Sequence, residues 1–330
     1  MPRTSTAAFT RIATIGVVVT TSIALAGCTT TAAPAPTPEA PLIVSLDNCG
    51  TLVDFKDAPE RVITIKSTST EMLLALGLGD RIIGTAFQDG AVDPEWAEEA
   101  AGLTVMSDKV PGQEAVLEAE PDLVYAGWES NFSAEGAGER ESLESLGIHT
   151  LVSPAACKEE GYKPAKLSFE DIFDEISMVG SVFRTDASEL VASQRAIVEA
   201  IEPDTRGLSA LWYSSGSDTP YVGAGIGAPQ LVLETIGLDN IAGGIADTWS
   251  PFSWEAVVDA NPDVIVLVDA TWNTAAAKIE MLESNPATAN LDAVINGRYL
   301  TVPFPAAEAG VRSASAASDL ATQLAAIEID

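Results

Sequence analysis

Residues 114–124 read EAVLEAEPDLV, and residues 255–265 read EAVVDANPDVI. Glu, Ala, Val, Ala, Pro, Asp and a closing β-branched residue recur in register between the two stretches. Each copy reads as a short helix that stops at a Pro-Asp turn and feeds an apolar strand. A looser echo pairs LLALGLGDRIIG (73–84) with LETIGLDNIAG (233–243). Two echoes in the same order point to two related α/β lobes rather than chance likeness between turns.

Upstream, LIVSL, the turn Asp47-Asn48-Cys49-Gly50 and TLVDF form a hairpin pattern. After Pro59 come a buried-type strand at 61–65, the polar run Lys66-Ser67-Thr68-Ser69-Thr70, and a helical pattern that stops at Gly77. Strand, polar loop and helix open an α/β unit. Further short strands are expected at 81–85, 123–126 and 148–152. Between the lobes, Ser168 and Asp171 make a capping pair ahead of Ile172, Phe173, Ile176 and Val179. A second helix is expected from Asp186 to Ile201. The expected architecture is α/β, with two Rossmann-like lobes over 42–184 and 204–330. A single long helix within 185–203 joins them, leaving a ligand cleft between the halves.

The first forty residues read as an address. Arg3 and Arg11 precede a mainly apolar run from Ile12 to Ala26, which is short for a membrane span and suits a secretory signal. Leu25-Ala26-Gly27-Cys28 closes it and resembles the bacterial lipobox, which implies a signal peptide over 1–28 and lipidation at Cys28. Residues 29–41, TTTAAPAPTPEAP, are a tether too poor in apolar residues to bury a core. Once Arg3 and Arg11 are removed, 15 basic residues face 48 acidic ones, a net charge near −33. Such a surface repels nucleic acid and anionic headgroups, so attachment to the membrane falls to the lipid. Cys49 and Cys157 remain, either bridged or as two free thiols in an oxidising compartment. A bridge would be worth about 4–5 kcal/mol in the chain-entropy account.

Five stretches in order, APERVITI (58–65), TEMLLALGLGDRIIGT (70–85), EAVLEAEPDLVYAG (114–127), EAVVDANPDVIVLV (255–268) and AVINGRYLTVP (293–303), resemble the class III periplasmic binding proteins. That family captures iron–siderophores, haem or cobalamin for ABC importers. The resemblance covers about residues 42–327 and implies an extracytoplasmic, lipid-anchored, monomeric binding protein that hands a small molecule to the importer's membrane subunits. It also implies that Glu114 and Glu255 dock on those subunits through arginines. Each is equally a helix-start acid favoured by the helix dipole. The runs TIKSTSTE, SDKVPGQEAVLE (107–118), GWESNFSAEGAGER (127–140) and SPAACKEEGY (153–162) resemble an actinobacterial subgroup. Its proposed ligand is the precursor of deazaflavin coenzyme F(420) that lacks a polyglutamate tail.

Ligands of such lobes bind beyond the carboxyl ends of the strands. The candidate contacts are Lys66, Ser67, Thr68, Lys109 and Trp128 from the first lobe, and Trp212, Tyr213, Tyr221, Trp249, Trp254 and Trp272 from the second. Five of the six tryptophans fall there, as a flat aromatic ligand would require, although strand-end tryptophans also serve cores. Lys66 ahead of a helix could hold a phosphate or carboxylate, or point to solvent. Arg140 and Arg312 are further cations. Ferric siderophore and cobalamin stay open as ligands, and haem held by a Tyr with them. No metal site and no cofactor are expected, because the one histidine, His149, reads as a packing residue. GAGIG (223–227) lacks dinucleotide-fold spacing, and no GxSxG elbow or P-loop suggests an enzyme. A structural envelope lipoprotein without ligand is the other class.

Overall fold

The computed structural model describes residues 43–329. The signal run, Cys28 and the tether lie outside the described residues. β1 (Val44–Asn48) and β2 (Thr51–Phe55) form the hairpin, with Cys49 and Gly50 at φ 51° and 81°. Two positive φ values make the two-residue turn whose twist matches the flanking strands.

The first lobe continues through β3 (Val62–Ile65), α1 (Ser67–Ala75), β4 (Ile82–Ala86), α2 (Ala97–Ala100) and β5 (Val105–Ser107). Then come α3 (Gln113–Glu118), β6 (Leu123–Ala126), α4 (Arg140–Ser145) and β7 (His149–Val152). The sheet runs β5-β4-β3-β6-β7, all parallel. The second lobe holds β8 (Ser209–Ser215), β9 (Tyr221–Gly223), α7 (Ala228–Thr235), β10 (Asp239–Asn240), β11 (Trp249–Pro251) and α8 (Trp254–Ala260). β12 (Val264–Asp269), α9 (Ala275–Ser284), α10 (Asp292–Ile295), β13 (Tyr299–Pro303) and α11 (Ser313–Ala325) complete it. Its order is β11-β9-β8-β12-β13, with the short β10 beside β8.

The neighbours β4-β3-β6-β7 recur as β10-β8-β12-β13, so both sequence echoes occupy equivalent places. The repeated motif has a local physical cause. Its seventh residue, Glu120 or Asn261, turns left-handed at φ 51° or 42° and ends the helix. Its aspartate then ties down the start of the neighbouring strand. Asp122 accepts from the backbone amides of Glu60 and Arg61 at 2.7 and 3.0 Å, just ahead of β3. Asp263 accepts from the Ser209 amide at 2.8 Å, at the first residue of β8.

Between the lobes run two helices, α5 (Phe169–Phe183) and α6 (Ser188–Glu199). The Ser168–Asp171 capping box is present. α5 begins against the second lobe, where the Leu167 amide meets the Ile226 carbonyl at 2.9 Å and Lys166 meets Glu234 at 2.6 Å. It ends against the first, where Arg184, left-handed at φ 56°, reaches the Lys56 carbonyl. The helix expected over Asp186–Ile201 is the shorter α6, which packs on α11, so the crossing is shared by an antiparallel pair. One continuous apolar cluster includes Leu73 and Leu123 of the first lobe, Phe173 and Ile176 of α5, and Leu233 and Val266 of the second. A shared core of this kind resists large lobe movements.

Candidate functional site

Parallel strands deliver their carboxyl ends to one place. Lys66 follows β3, Gly127 and Trp128 follow β6, and Ser153 follows β7. From the facing lobe come Ser214 on β8, Trp272 after β12, and the turn Phe304–Ala307 with Glu308 after β13. Except for Lys66, these strand ends border a cavity of about 380 Å³ lined by residues of both lobes, within the usual range for small-molecule sites. Its floor includes the buried Ser153, Ser214 and Glu308. Its aromatic lining is Trp128, Tyr221, Trp249, Trp272 and Phe304. Tyr221 and Trp249 stack at 6.4 Å, and Trp272 meets Phe304 edge-on at 5.9 Å. Trp272 is 59% exposed and Tyr221 41%, unusual for such large rings beside a cavity. The cysteine sulfurs of Cys49 and Cys157 are bonded, with Cα atoms 5.3 Å apart, which ties the β1–β2 turn to the rim residues Ala155, Ala156 and Lys158.

Behind the first-lobe wall sits Lys66. It is wholly buried and adopts φ 83°, ψ 151°, a region almost reserved for glycine that costs about 1–3 kcal/mol. Its ammonium pairs with Asp89 and lies 3.5 Å from a Glu308 oxygen. It also lies 3.5 Å from the Trp128 ring centre, 4.9 Å from Phe87 and 4.8 Å from Phe304. Gly127 permits this closeness, since a Cβ there would stand 2.4 Å from Thr68 Oγ1 and 2.9 Å from Lys66 Cβ. The Trp128 indole N–H donates to Glu308 Oε1 at 2.8 Å. Burial pushes the Glu308 carboxyl up to about 7 and raises Asp89 too, while Lys66 pulls both back. Four residues after Glu308, Arg312 reaches Glu71 and Asp93 at 3.3 Å each. Burial carries Glu71 to about 7.

Of the expected contacts, Thr68, Trp128, Tyr221, Trp249 and Trp272 border the cavity. Lys66 does not, because its charge is committed to Asp89 and Glu308. Ser67 turns inward and accepts from the Asp89 amide at 2.9 Å. Trp212 and Tyr213 are 0% and 2% exposed, pointing into cores on opposite faces of the second sheet. Trp254 packs on Tyr213 at 5.3 Å and donates to the Ser217 carbonyl. Lys109 is exposed outside the cavity. Arg140 is structural, bonding Asn48 and Thr150. Lys158, Ser153, Phe304 and Glu308 were not anticipated. The first two follow β7 and the last two follow β13, so strand-end position alone would have found them. Glu114 and Glu255 are exposed in the first turns of α3 and α8.

The pattern of the periplasmic binding protein family matches residues 62–306. The chain belongs to that family. It is 24% identical over 282 residues to the ABC transporter substrate-binding lipoprotein YvrC of Bacillus subtilis, covering 82% of each chain. It is 27% identical over 278 residues to a cobalamin-binding protein of Halobacterium salinarum, covering 78% of this chain and 69% of that one. Among solved structures, a periplasmic binding protein from Veillonella parvula superposes with TM-score 0.76 at 28% identity, over 87% of this chain and 99% of that one. A protein described as an ABC-type Fe3+-hydroxamate transport system of Saccharomonospora viridis gives 0.74 at 26% identity, over 87% and 100%. This periplasmic binding protein is therefore an extracytoplasmic substrate-binding component of an ABC transporter and not an enzyme.

Proposed function

We propose that this periplasmic binding protein captures a flat aromatic, anionic small molecule in the cleft between its lobes and passes it to the membrane subunits of an importer. The observation that carries the reading is the cavity's aromatic lining, with Trp272 and Tyr221 left uncovered by the protein itself. Rings presented this way gain most from a ligand that is itself a ring. A deazaflavin coenzyme precursor fits that description, with its anionic arm towards Lys158, the one cation that lines the cavity among the described residues. The names of the relatives favour a second reading, a corrinoid or ferric siderophore. Titrating the protein with a 5-deazaflavin, cobalamin and a ferric hydroxamate while following tryptophan fluorescence separates them. Saturable quenching by the deazaflavin is expected; silence there with tight cobalamin or hydroxamate binding overturns the preference.

Delivery rests on Glu114 and Glu255, read as the anchors for the importer. Each has an exposed apolar residue three places on, Leu117 at 38% and Val258 at 40% exposure. Glu114→Arg with Glu255→Arg should abolish uptake while solution affinity stays within a few-fold, because both lie outside the cavity. Uptake at the unmutated rate would refute this role. Anchoring through lipid on Cys28 predicts that Cys28→Ser releases the protein from the membrane fraction.

A further inference from the structure

The ammonium of Lys66 touches the cleft's walls from behind. Lys66 is 0% exposed and does not line the cleft, whereas Trp128, over whose ring the ammonium sits at 3.5 Å, does. The same ammonium sits over Phe304, which lines the cleft from the second lobe and carries Trp272 on its edge. Phe87 closes the third side and meets Trp128 edge-on at 6.0 Å. Glu308 fixes the indole N–H, and Asp89 fixes the ammonium.

We infer that Lys66 is a specificity-determining positioning residue: it pins the aromatic walls of both lobes and polarises Trp128 so that the cleft prefers anionic flat rings over cationic ones. The physical basis is the ring quadrupole. A cation on one face of an indole draws electron density towards itself, leaving the opposite face less negative. That face then repels a cationic ring and tolerates an electron-rich or anionic one. The backbone strain at Lys66 points the same way, since the surroundings hold the ammonium in place against it. This inference rests on the proposed aromatic, anionic ligand and adds the residue that selects the sign of its charge.

The test uses two probes of one shape and opposite charge, pyrene-1-sulfonate and 1-pyrenemethylammonium, titrated by fluorescence. In the wild-type protein both should saturate. Because the acidic surface acts on all variants alike, the readout is the ratio of the two dissociation constants and how it changes. Lys66→Met should shift that ratio about tenfold towards the ammonium probe, the size of one partly compensated charge acting across a ring. Lys66→Arg should restore it. Lys66→Met leaves Asp89 and Glu308 buried without their partner, so Lys66→Met with Asp89→Asn, titrated below pH 7 where the Glu308 carboxyl is protonated, is the companion variant that keeps the cluster neutral, and it should shift the ratio in the same direction. An unchanged ratio in a folded variant of either kind overturns the inference while the aromatic ligand reading survives. If neither pyrene binds the wild-type protein, the aromatic reading falls and this inference falls with it.

Discussion

Glu175 sets a measurable dependence of stability on pH. Its carboxyl is fully buried on α5, where it accepts from the Tyr125 hydroxyl at 2.9 Å and the Ser153 hydroxyl at 3.0 Å. No cation is among its partners in the described residues, and burial carries it from 4.5 to about 7. Because the folded value lies above the unfolded one, the folded protein holds an extra proton between those limits. The associated stability is complete below pH 4.5 and is lost as pH rises through 7. A carboxyl moved from 4.5 to about 7 costs the folded protein about 3 kcal/mol once it is ionised. Glu175→Gln removes the ionisation but keeps the shape, and both hydroxyl partners can donate or accept. Urea unfolding should therefore give similar stabilities for the two proteins at pH 4.5. At pH 8 the variant should be more stable by up to about 3 kcal/mol. A difference equal at both pH values, or a variant less stable at pH 8, would refute the reasoning.

Four further outcomes follow from the geometry. Replacing Cys49 and Cys157 by Ser opens a loop spanning 108 positions and should lower unfolding free energy by about 4–5 kcal/mol, with a matching fall in urea midpoint. Trp272→Ala should weaken pyrene-1-sulfonate binding about tenfold with little change in thermal midpoint, because that cavity-lining ring is 59% exposed. Trp212→Ala should do the reverse, costing about 3–5 kcal/mol of stability while cleft fluorescence still responds to the probe. Asp122→Ala and Asp263→Ala, at equivalent repeat positions, should each destabilise by about 1–3 kcal/mol, because each leaves strand-start amides without their acceptor.

The fold was readable because its defining signal is local and occurs twice. A helix, a left-handed stop, a Pro-Asp turn and a strand together prescribe one half of a βαβ unit. The site was readable only in outline. The sequence locates strand ends but does not say which face a side chain takes, so Trp212 and Trp249 look alike until the sheet is built. One is an interior strand residue; the other lies on an edge strand at the cavity. Lys66 misled for a different reason. Scarce cations suggest a ligand anchor, yet Asp89 comes 23 residues later and Glu308 arrives from the other lobe. Neither partner leaves a mark beside it in the sequence. The helix at Asp186–Ile201 was recognisable as a helix, but α5 carries half the crossing because Leu167 and Lys166 start it against the second lobe.

The repeat also relates the cleft to the surface that an importer would read. In each βαβ unit the helix runs antiparallel to its strands, so its amino end lies at the carboxyl end of the sheet. That end holds the cavity. Glu114 and Glu255 open α3 and α8, and topology therefore puts both acids at the same end of the molecule as the mouth of the cleft, one on each lobe. The shared core and the α5–α6 pair keep the lobes from separating freely, so the distance between the two carboxylates varies little. A partner engaging both at once would cover the mouth and be placed to receive what leaves it. Ligand capture and delivery would then depend on the same rigid element, repeated. Loosening that element should harm transport more than affinity, because affinity needs only the facing walls while the proposed docking needs both carboxylates in register.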